Sequence, residues 1–268
     1  MADPTQTSAH SAGGEPPEPA DVVFMRRMRK DFQRIRMEHE FAVDEMLTKV
    51  SILRKEFLHL HRYNPIEHVG SRVKSTASIL RKVARLGIDP TPEAIRAGLH
   101  DIAGVRITCS FIADTYRVLE ALTSQTDVGV LQIKDYIAHP KPNGYKSLHA
   151  LVEIPVFLST GPVPVTVEIQ VRTIAMDFWA TLEHKIYYKY DGSVPADIVT
   201  SLTEAAQLAD QLDQQMEELH TEVRGAEWER AENTTPDLDE QMLMRVWESV
   251  RTGTGAEGGG GNAGGPAD

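Results

Sequence analysis

The sequence has one cysteine, Cys109, and no long apolar run. A single cysteine excludes an intrachain disulfide and a cysteine-based metal cluster. No segment approaches the roughly 20 apolar residues that span a bilayer, and the N-terminus lacks the basic and apolar parts of a secretory signal. We therefore predict a protein of the reducing cytoplasm that does not bind membranes. Hydrophobic residues make up 41% of the 268 residues and charged residues 25%, which is typical of globular proteins.

The net charge of −11 is distributed unevenly. Residues 71–149 contain 11 Lys and Arg against 7 Asp and Glu, so the rest of the chain carries all the excess negative charge. An acidic surface disfavours non-specific binding to nucleic acid, and we expect at most weak binding of single-stranded RNA. A basic segment in an acidic protein indicates a local anionic ligand, for which polyphosphate is the natural candidate.

Helical and extended patterns alternate along the chain. Residues 1–20 and 233–268 are rich in Gly, Pro and acidic residues, and we predict that they are mostly disordered. Residues 21–232 should form one domain. Strands are predicted at about residues 104–111, 130–135, 148–156 and 164–172. Helices are predicted at about residues 21–62, 67–86, 92–99, 114–125 and 173–188. The pattern predicts an α+β fold, with a mixed sheet of about five strands flanked by helices and helical extensions at both ends.

Residues 198–223 carry apolar side chains at alternating steps of four and three, a heptad pattern. This pattern fits a helix packed on its own domain and an oligomer contact equally well. Its apolar positions are Ile198, Leu202, Ala205, Ala209, Leu212, Met216, Leu219 and Val223.

Two short motifs carry the functional signal. In Val167–Thr173 (VEIQVRT) the residues alternate, so that Glu168, Gln170 and Arg172 share the polar face of a strand. About twenty residues earlier, Lys141–His149 (KPNGYKSLH) predicts a turn that presents Tyr145 before a strand. Taken singly, the first fits a surface ion pair and the second an ordinary hairpin turn. Together they indicate phosphoryl chemistry on nucleotides.

A basic stripe lies on the predicted helix 67–86. Its members recur at helical spacing and are flanked by Arg72 and Arg81: Lys74, Ser78, Lys82 and Arg85. Such a stripe is usually a solvated face, but the cation-rich neighbouring segments favour a triphosphate cradle. Asp101 at the start of one strand and Glu168 on another could jointly hold Mg²⁺, which prefers a few carboxylates together with phosphates and water.

Three segments in order resemble the synthetase domain of the RelA/SpoT homologue family. They are DIAGVRI at residue 101, KDYIAHPKPNGYKSLH at residue 134 and VEIQVRTIAMDFWATLEHKIYYK at residue 167. The likeness covers about residues 40–225, and the short length is similar to that of small alarmone synthetases, which are GTP pyrophosphokinases. It implies a nucleotidyltransferase-like sheet. It also implies transfer of the β,γ-pyrophosphate of ATP to the 3′-hydroxyl of GDP, GTP or GMP, giving AMP and the alarmones of the stringent response.

The resemblance also implies residue roles. Asp101 and Glu168 would be catalytic and hold Mg²⁺, with Glu168 activating the 3′-hydroxyl and Tyr145 stacking on guanine. The residues implied to bind ATP are Arg72, Lys74, Ser78, Lys82, Arg85 and Arg106. Those implied to bind the acceptor are Lys134, Lys141, Asn143, Tyr145, His149 and Gln170.

The same likeness sets expectations about partners and alternatives. A homotetramer is favoured, no ribosome is required, and no alarmone hydrolysis is expected because only about 70 residues precede the basic helix. One alternative is a toxin-like pyrophosphokinase that acts on other nucleotides or on the 3′-end of tRNA. The other is a catalytically silent regulator that binds nucleotide or RNA.

Overall fold

The computed structural model describes residues 20–61, 63–190, 194–232, 243–245, 247–248 and 251. The chain divides into two compact units, residues 1–217 and residues 218–268. The first contains the sheet, and the described residues of the second are helical. The segments predicted to be disordered lie almost wholly outside the described residues. Their disorder, and the single domain over residues 21–232, stay predictions.

A five-stranded mixed sheet forms the centre of the first unit. Its strands are β1 (Ile66–Val73), β2 (Ala103–Cys109), β3 (Gly129–Asp135), β4 (Leu148–Leu158) and β5 (Gly161–Thr173). They lie in the order β1-β2-β5-β4-β3, in which β2 and β5 are parallel and the other neighbours are antiparallel. The α+β fold and all four strands predicted from the sequence are confirmed, and β1 is the fifth.

Among the described residues, six helices of at least seven residues accompany the sheet. They are α1 (Ala20–His61), α2 (Thr76–Leu86), α3 (Pro92–Gly98), α4 (Ile112–Thr123), α5 (Ile174–Lys189) and α6 (Ala196–Glu232). Thr91 caps α3 by accepting a hydrogen bond from the Ala94 N–H. None of the helices in the described residues combines the length and apolar character needed to cross a bilayer.

The apolar face of the sheet forms the core with α1 and α4. Val167, Ile169 and Val171 of β5 are fully buried there, among side chains such as Met46 of α1 and Leu122 of α4. Burial of each such side chain stabilises the fold by about 1.5–3 kcal/mol. Since side chains alternate along a strand, the residues between these valines and isoleucines must face the opposite side of the sheet.

The prediction of one helix from Glu67 to Leu86 is wrong. Residues 66–73 form the edge strand β1, which pairs with β2, and α2 begins only after Ser75 caps it by accepting from the Ser78 N–H. β1 has few apolar residues because it lies at the edge of the sheet, so the alternation that identifies a strand is weak. Lys74 therefore precedes the helix, whereas Ser78, Lys82 and Arg85 lie on it.

The helix α2 buries one of its faces against neighbouring helices. Ile79 and Val83 are buried against α1 and α3, whereas Leu80 is 37% exposed.

The apolar seam of α6 is largely exposed. Leu212, Met216 and Leu219 are all more than 40% exposed. The inward side of α6 instead buries Ala206 and Asp213. Packing on its own domain therefore does not explain the heptad pattern over this part of the helix.

Asp213 is a buried carboxyl group that accepts a hydrogen bond from the Thr173 hydroxyl at 2.6 Å. Burial raises its pKa from 3.8 to about 6, with Asp210 and Glu217 adding to the effect and Thr173 and Lys146 opposing it. A folded-state pKa above the ordinary value means that the folded protein retains this proton longer than the unfolded chain. Stability contributed by this group is complete below about pH 4 and is lost as the pH rises through about 6.

We expect Asp213→Asn to stabilise the protein at pH 8 by about 1–3 kcal/mol, because the amide keeps the hydrogen bond without a buried charge. At pH 5 the difference from the unsubstituted protein should be about half as large, because pH 5 lies between the ordinary pKa and the raised one. Urea unfolding at both pH values measures it, and Glu204→Gln, an exposed position on α6, serves as the control. An equal effect at both pH values would contradict the pKa assignment.

Candidate active site

A row of polar residues crosses four strands on the face of the sheet opposite the core. Lys134 of β3 lies opposite His149 of β4, His149 opposite Gln170 of β5, and Gln170 opposite Arg106 of β2. Residues directly opposite in a sheet share a face and lie within side-chain reach. The register therefore brings predicted donor-binding and acceptor-binding residues together.

A second row, two residues away, centres on Glu168. Glu168 lies opposite Gly104 of β2, and Gly104 lies opposite Arg72 of β1. Arg72 lies over Gly104, where an added Cβ atom would be in ordinary van der Waals contact, 3.5 Å from Arg72 Nε. Arg72 Nη2 reaches to 3.8 Å from Glu168 Oε2. One oxygen of Glu168 thus faces the guanidinium group of Arg72, a residue predicted to bind the donor nucleotide.

The other oxygen of Glu168 faces the acceptor side. His149 Nδ1 lies 3.3 Å from Glu168 Oε1. The hydrogen bond from His149 lowers the pKa of the Glu168 carboxyl, burial opposes it, and Gln170 and Arg72 lower the pKa further. The net pKa lies below the ordinary value, so Glu168 is ionised at neutral pH.

The predicted acceptor loop folds as a tight turn. Gly144 adopts a left-handed conformation with φ of 85°, and Asn143 Oδ1 accepts a hydrogen bond from the Tyr145 N–H at 3.2 Å. Asn143 Nδ2 donates to Glu183 on α5 at 3.1 Å. Lys141 Nζ lies 4.5 Å from the centre of the Tyr145 ring and 4.7 Å from that of Tyr136.

The Tyr145 hydroxyl connects this loop to the sheet. It lies 2.7 Å from His149 Nε2 and accepts a hydrogen bond of 2.6 Å from Arg172 Nη2. Tyr136 packs edge-on against the rings of both Tyr145 and His149. The Tyr145 ring is therefore held in place before any ligand arrives.

Asp101 is surrounded by lysines on the donor side. Its Oδ2 accepts hydrogen bonds from Lys74 at 2.9 Å and from Lys82 at 2.6 Å. Burial raises the pKa of this carboxyl, but the hydrogen bonds from Lys82 and Lys74 outweigh it, so the net pKa is lowered. Two of the cations implied to bind ATP thus meet at one carboxylate.

Asp101 also has the chemistry that a divalent cation requires. Its second oxygen, Oδ1, is buried and accepts no hydrogen bond from any residue that the structure describes. Together with the ionised Glu168, this free oxygen fits the oxygen-donor preference of Mg²⁺. Within the described residues, no three His, Cys, Asp or Glu side chains are grouped closely enough to hold a metal, so any such ion would also need ligands from substrate or water.

The remaining predicted residues lie around this centre. The Ser78 hydroxyl, near the start of α2, lies 3.0 Å from that of Ser75 and accepts from Arg81 at 3.1 Å. Arg85 is exposed in the last turn of α2, and Lys134 is exposed on β3. Arg106 Nη1 lies 3.2 Å from Asp177 Oδ1.

Sequence reasoning gave no role to three residues of this site: Tyr136, Arg172 and Asp177. Arg172 was placed on the polar face of β5, but its burial beneath the acceptor loop could not be deduced from alternation. Asp177 lies in the first turn of α5 and Tyr136 directly after β3. Both residues lie within the segments that resemble the RelA/SpoT synthetase domain. That resemblance is the sequence signal that could have pointed to them.

Comparisons with known proteins agree with this geometry. The profile described as "Region found in RelA / SpoT proteins" matches residues 71–193. GTP pyrophosphokinase YwaC of Bacillus subtilis is 47% identical over 199 residues, which are 74% of this chain and 95% of YwaC. This chain belongs to the RelA/SpoT family. The predicted resemblance to its small alarmone synthetases is confirmed.

Two solved structures of a RelA/SpoT relative contain nucleotides. Small alarmone synthetase 1 of Bacillus subtilis bound to its product pppGpp is 39% identical, has a TM-score of 0.66 and covers 72% of this chain and 98% of its own. The same enzyme bound to AMPCPP is 36% identical, has a TM-score of 0.62 and covers 73% of this chain and 98% of its own.

Proposed function

We propose that this RelA/SpoT chain is a GTP pyrophosphokinase. It transfers the β,γ-pyrophosphate of ATP to the 3′-hydroxyl of GDP or GTP, and of GMP as a further acceptor, and releases AMP with ppGpp, pppGpp or pGpp. The observation that carries the proposal is the position of Glu168 between Arg72 on the donor side and His149 on the acceptor side. The pppGpp and AMPCPP complexes of a relative agree with this reaction.

Glu168 acts as the general base in this proposal. A ribose hydroxyl is a poor nucleophile, and a carboxylate within hydrogen-bond reach contributes about 10²–10⁴-fold. The lowered pKa of Glu168 keeps it ionised but also makes it a weak base. Most of the acceleration must therefore come from alignment of the two nucleotides and from neutralisation of phosphate charge.

The donor phosphates bind to the basic residues of β1, α2 and β2. Lys74 and Lys82 meet at Asp101, and Arg72 extends from β1 towards Glu168. Ser78, Arg85 and Arg106 complete the donor set. Asp101 and Glu168 would hold Mg²⁺, which supplies charge neutralisation and orients the phosphates.

The acceptor base stacks on Tyr145. The surrounding Lys141, Asn143, His149 and Gln170 provide charge and hydrogen bonds on the same face, and Lys134 lies opposite His149. A cytoplasmic location, independence from the ribosome, lack of alarmone hydrolysis and weak binding of single-stranded RNA accompany this proposal as predictions.

A product assay tests the reaction. Purified protein is incubated with γ-³²P-ATP, Mg²⁺ and, separately, GMP, GDP, GTP and deacylated tRNA. We expect label in pGpp, ppGpp or pppGpp, and Glu168→Gln should lower turnover by at least about 10²-fold because the general base is lost. Glu153→Gln, an exposed carboxylate on β4, is the matched control.

The outcomes of that assay separate the alternatives. Label in tRNA alone would favour the toxin-like enzyme, and no transfer to any acceptor would favour a silent regulator. Release of pyrophosphate from ppGpp in Mn²⁺ would overturn the prediction that this chain does not hydrolyse alarmones.

Removal of the Tyr145 ring should act mainly on acceptor binding. Stacking of a base on an aromatic ring is worth roughly 1–3 kcal/mol, so we expect Tyr145→Ala to raise the acceptor KM about 5- to 150-fold and leave the ATP KM nearly unchanged. Tyr188→Ala removes an exposed tyrosine of α5 and serves as the control. An unchanged acceptor KM in Tyr145→Ala would rule out the stacking role.

The chain is proposed to assemble as a homotetramer, through contacts that include the exposed face of α5 and α6. A groove of about 820 Å³ between these helices is lined almost entirely by apolar side chains. Phe178 and Leu208 are 67% and 66% exposed there. The heptad spacing of α6 is that of helices which pair with other helices, and a second copy of this chain presents the same face.

Light scattering after gel filtration tests this assembly. We expect a mass of about four times the 29.8 kDa protomer, and a smaller species for Phe178→Glu combined with Leu208→Glu, because two charges would have to be buried. Leu131→Glu, on the exposed part of β3, should leave the mass unchanged. A monomeric unsubstituted protein would refute the proposal.

A further inference from the structure

Asp177 connects two arginines that lie on opposite sides of the site. Its Oδ1 lies 3.2 Å from Arg106 Nη1 and 3.1 Å from Arg172 Nη1. Arg106 comes from β2 and Arg172 from β5, which are parallel neighbours. One carboxylate oxygen thus fixes the spacing between two guanidinium groups.

Arg172 extends this connection to the acceptor loop. Its side chain is buried, and its Nη2 donates to the Tyr145 hydroxyl at 2.6 Å and to Gln170 Oε1 at 2.9 Å. The guanidinium carbon also lies 5.1 Å from the centre of the Tyr145 ring. A buried guanidinium requires a charged partner, and Asp177 is the carboxylate with which it pairs.

Arg106 extends the connection to the donor side. It stands opposite Gln170 in the sheet, two residues from Gly104, which lies beneath Arg72. Its Nε is buried and has no hydrogen-bond partner among the residues that the structure describes. The guanidinium is therefore held by Asp177 at Nη1, whereas its Nε is left without a described partner.

We propose that Asp177 is a positioning residue that sets Arg106 for the donor nucleotide and, through Arg172, the Tyr145 ring for the acceptor. The inference rests on the proposed function and assigns Asp177 and Arg172 a part in it. It makes the two substrate sites share one carboxylate, so that loss of this charge weakens both of them. The binding groups themselves remain Arg106 and Tyr145.

A purely structural role for Asp177 makes a different prediction. As an acidic residue in the first turn of α5, it also stabilises the helix N-terminus. Loss of that contribution would lower the melting temperature without changing the affinity of the folded protein for either nucleotide. Affinities and stability therefore have to be measured on the same variants.

The test compares Asp177→Asn, Asp177→Glu and Arg172→Lys in the full chain, with Glu120→Gln on α4 as an exposed control. Steady-state KM values are measured for ATP and for GDP, and binding of AMPCPP alone is measured by calorimetry. We expect Asp177→Asn to weaken both nucleotides about tenfold, the effect of losing one charge-assisted hydrogen bond. Arg172→Lys should raise only the acceptor KM, because Arg172 contacts Tyr145 on the acceptor side of the site.

Two further results make the proposal falsifiable. Asp177→Glu should recover part of both affinities, since it restores the charge. In the double variant with Asp177→Asn and Arg172→Lys, the rise in acceptor KM should be smaller than the product of the two single effects. The proposal is overturned if Asp177→Asn leaves the AMPCPP affinity unchanged, or if it affects one substrate only.

A failure of this inference is distinguishable from a failure of the proposed reaction. Absence of alarmone synthesis by the unsubstituted protein would refute the reaction. Normal synthesis, with KM values that do not respond to Asp177, would refute only the positioning role. If Asp177→Asn does not fold, Asp177→Glu and Arg172→Lys decide the matter, because a shared carboxylate requires the longer acid to alter both substrates and the lysine to alter only the acceptor.

Discussion

The parallel pairing of β2 with β5 is the constraint on which the rest of the site depends. It sets Gly104 opposite Glu168 and Arg106 opposite Gln170. A shift of one residue would turn the apolar set Val167, Ile169 and Val171 out of the core, so the register is fixed by burial on the far side of the sheet. The hydrophobic core thus determines which polar groups meet, although none of its atoms takes part in the chemistry.

The candidate active site brings charged groups together, and this lowers the free energy of unfolding. Within the described part of the chain, Asp101 Oδ1 and Arg106 Nε are buried without hydrogen-bond partners, and each such atom costs about 1–3 kcal/mol. Those two atoms lie on the donor side, whereas the acceptor side, around Tyr145 and Arg172, is internally bonded. The donor side is therefore the half whose polar atoms gain most from a bound nucleotide and cation.

Much of the fold, and the family, could be predicted from the sequence because β4 and β5 alternate clearly and because three motifs occur in order. β1 could not, since an edge strand such as Ile66–Val73 buries few side chains and its residues also fit helical spacing. The roles of Arg172 and Asp177 could not be predicted from the sequence for another reason. Alternation gives the face of a residue, but only the folded acceptor loop shows that Arg172 is covered and needs Asp177.

The two halves of the site have different supports. The acceptor loop is braced from outside the sheet: Lys146 pairs with Asp210 of α6, Asn143 bonds Glu183 of α5, and a side chain at Gly144 would collide with Ala206. The donor side rests on β1, α2 and the residues before β2. Because Leu208 and Leu212 of α6 are exposed, the helix that supports the acceptor loop through Asp210 and Ala206 also carries an uncovered apolar surface.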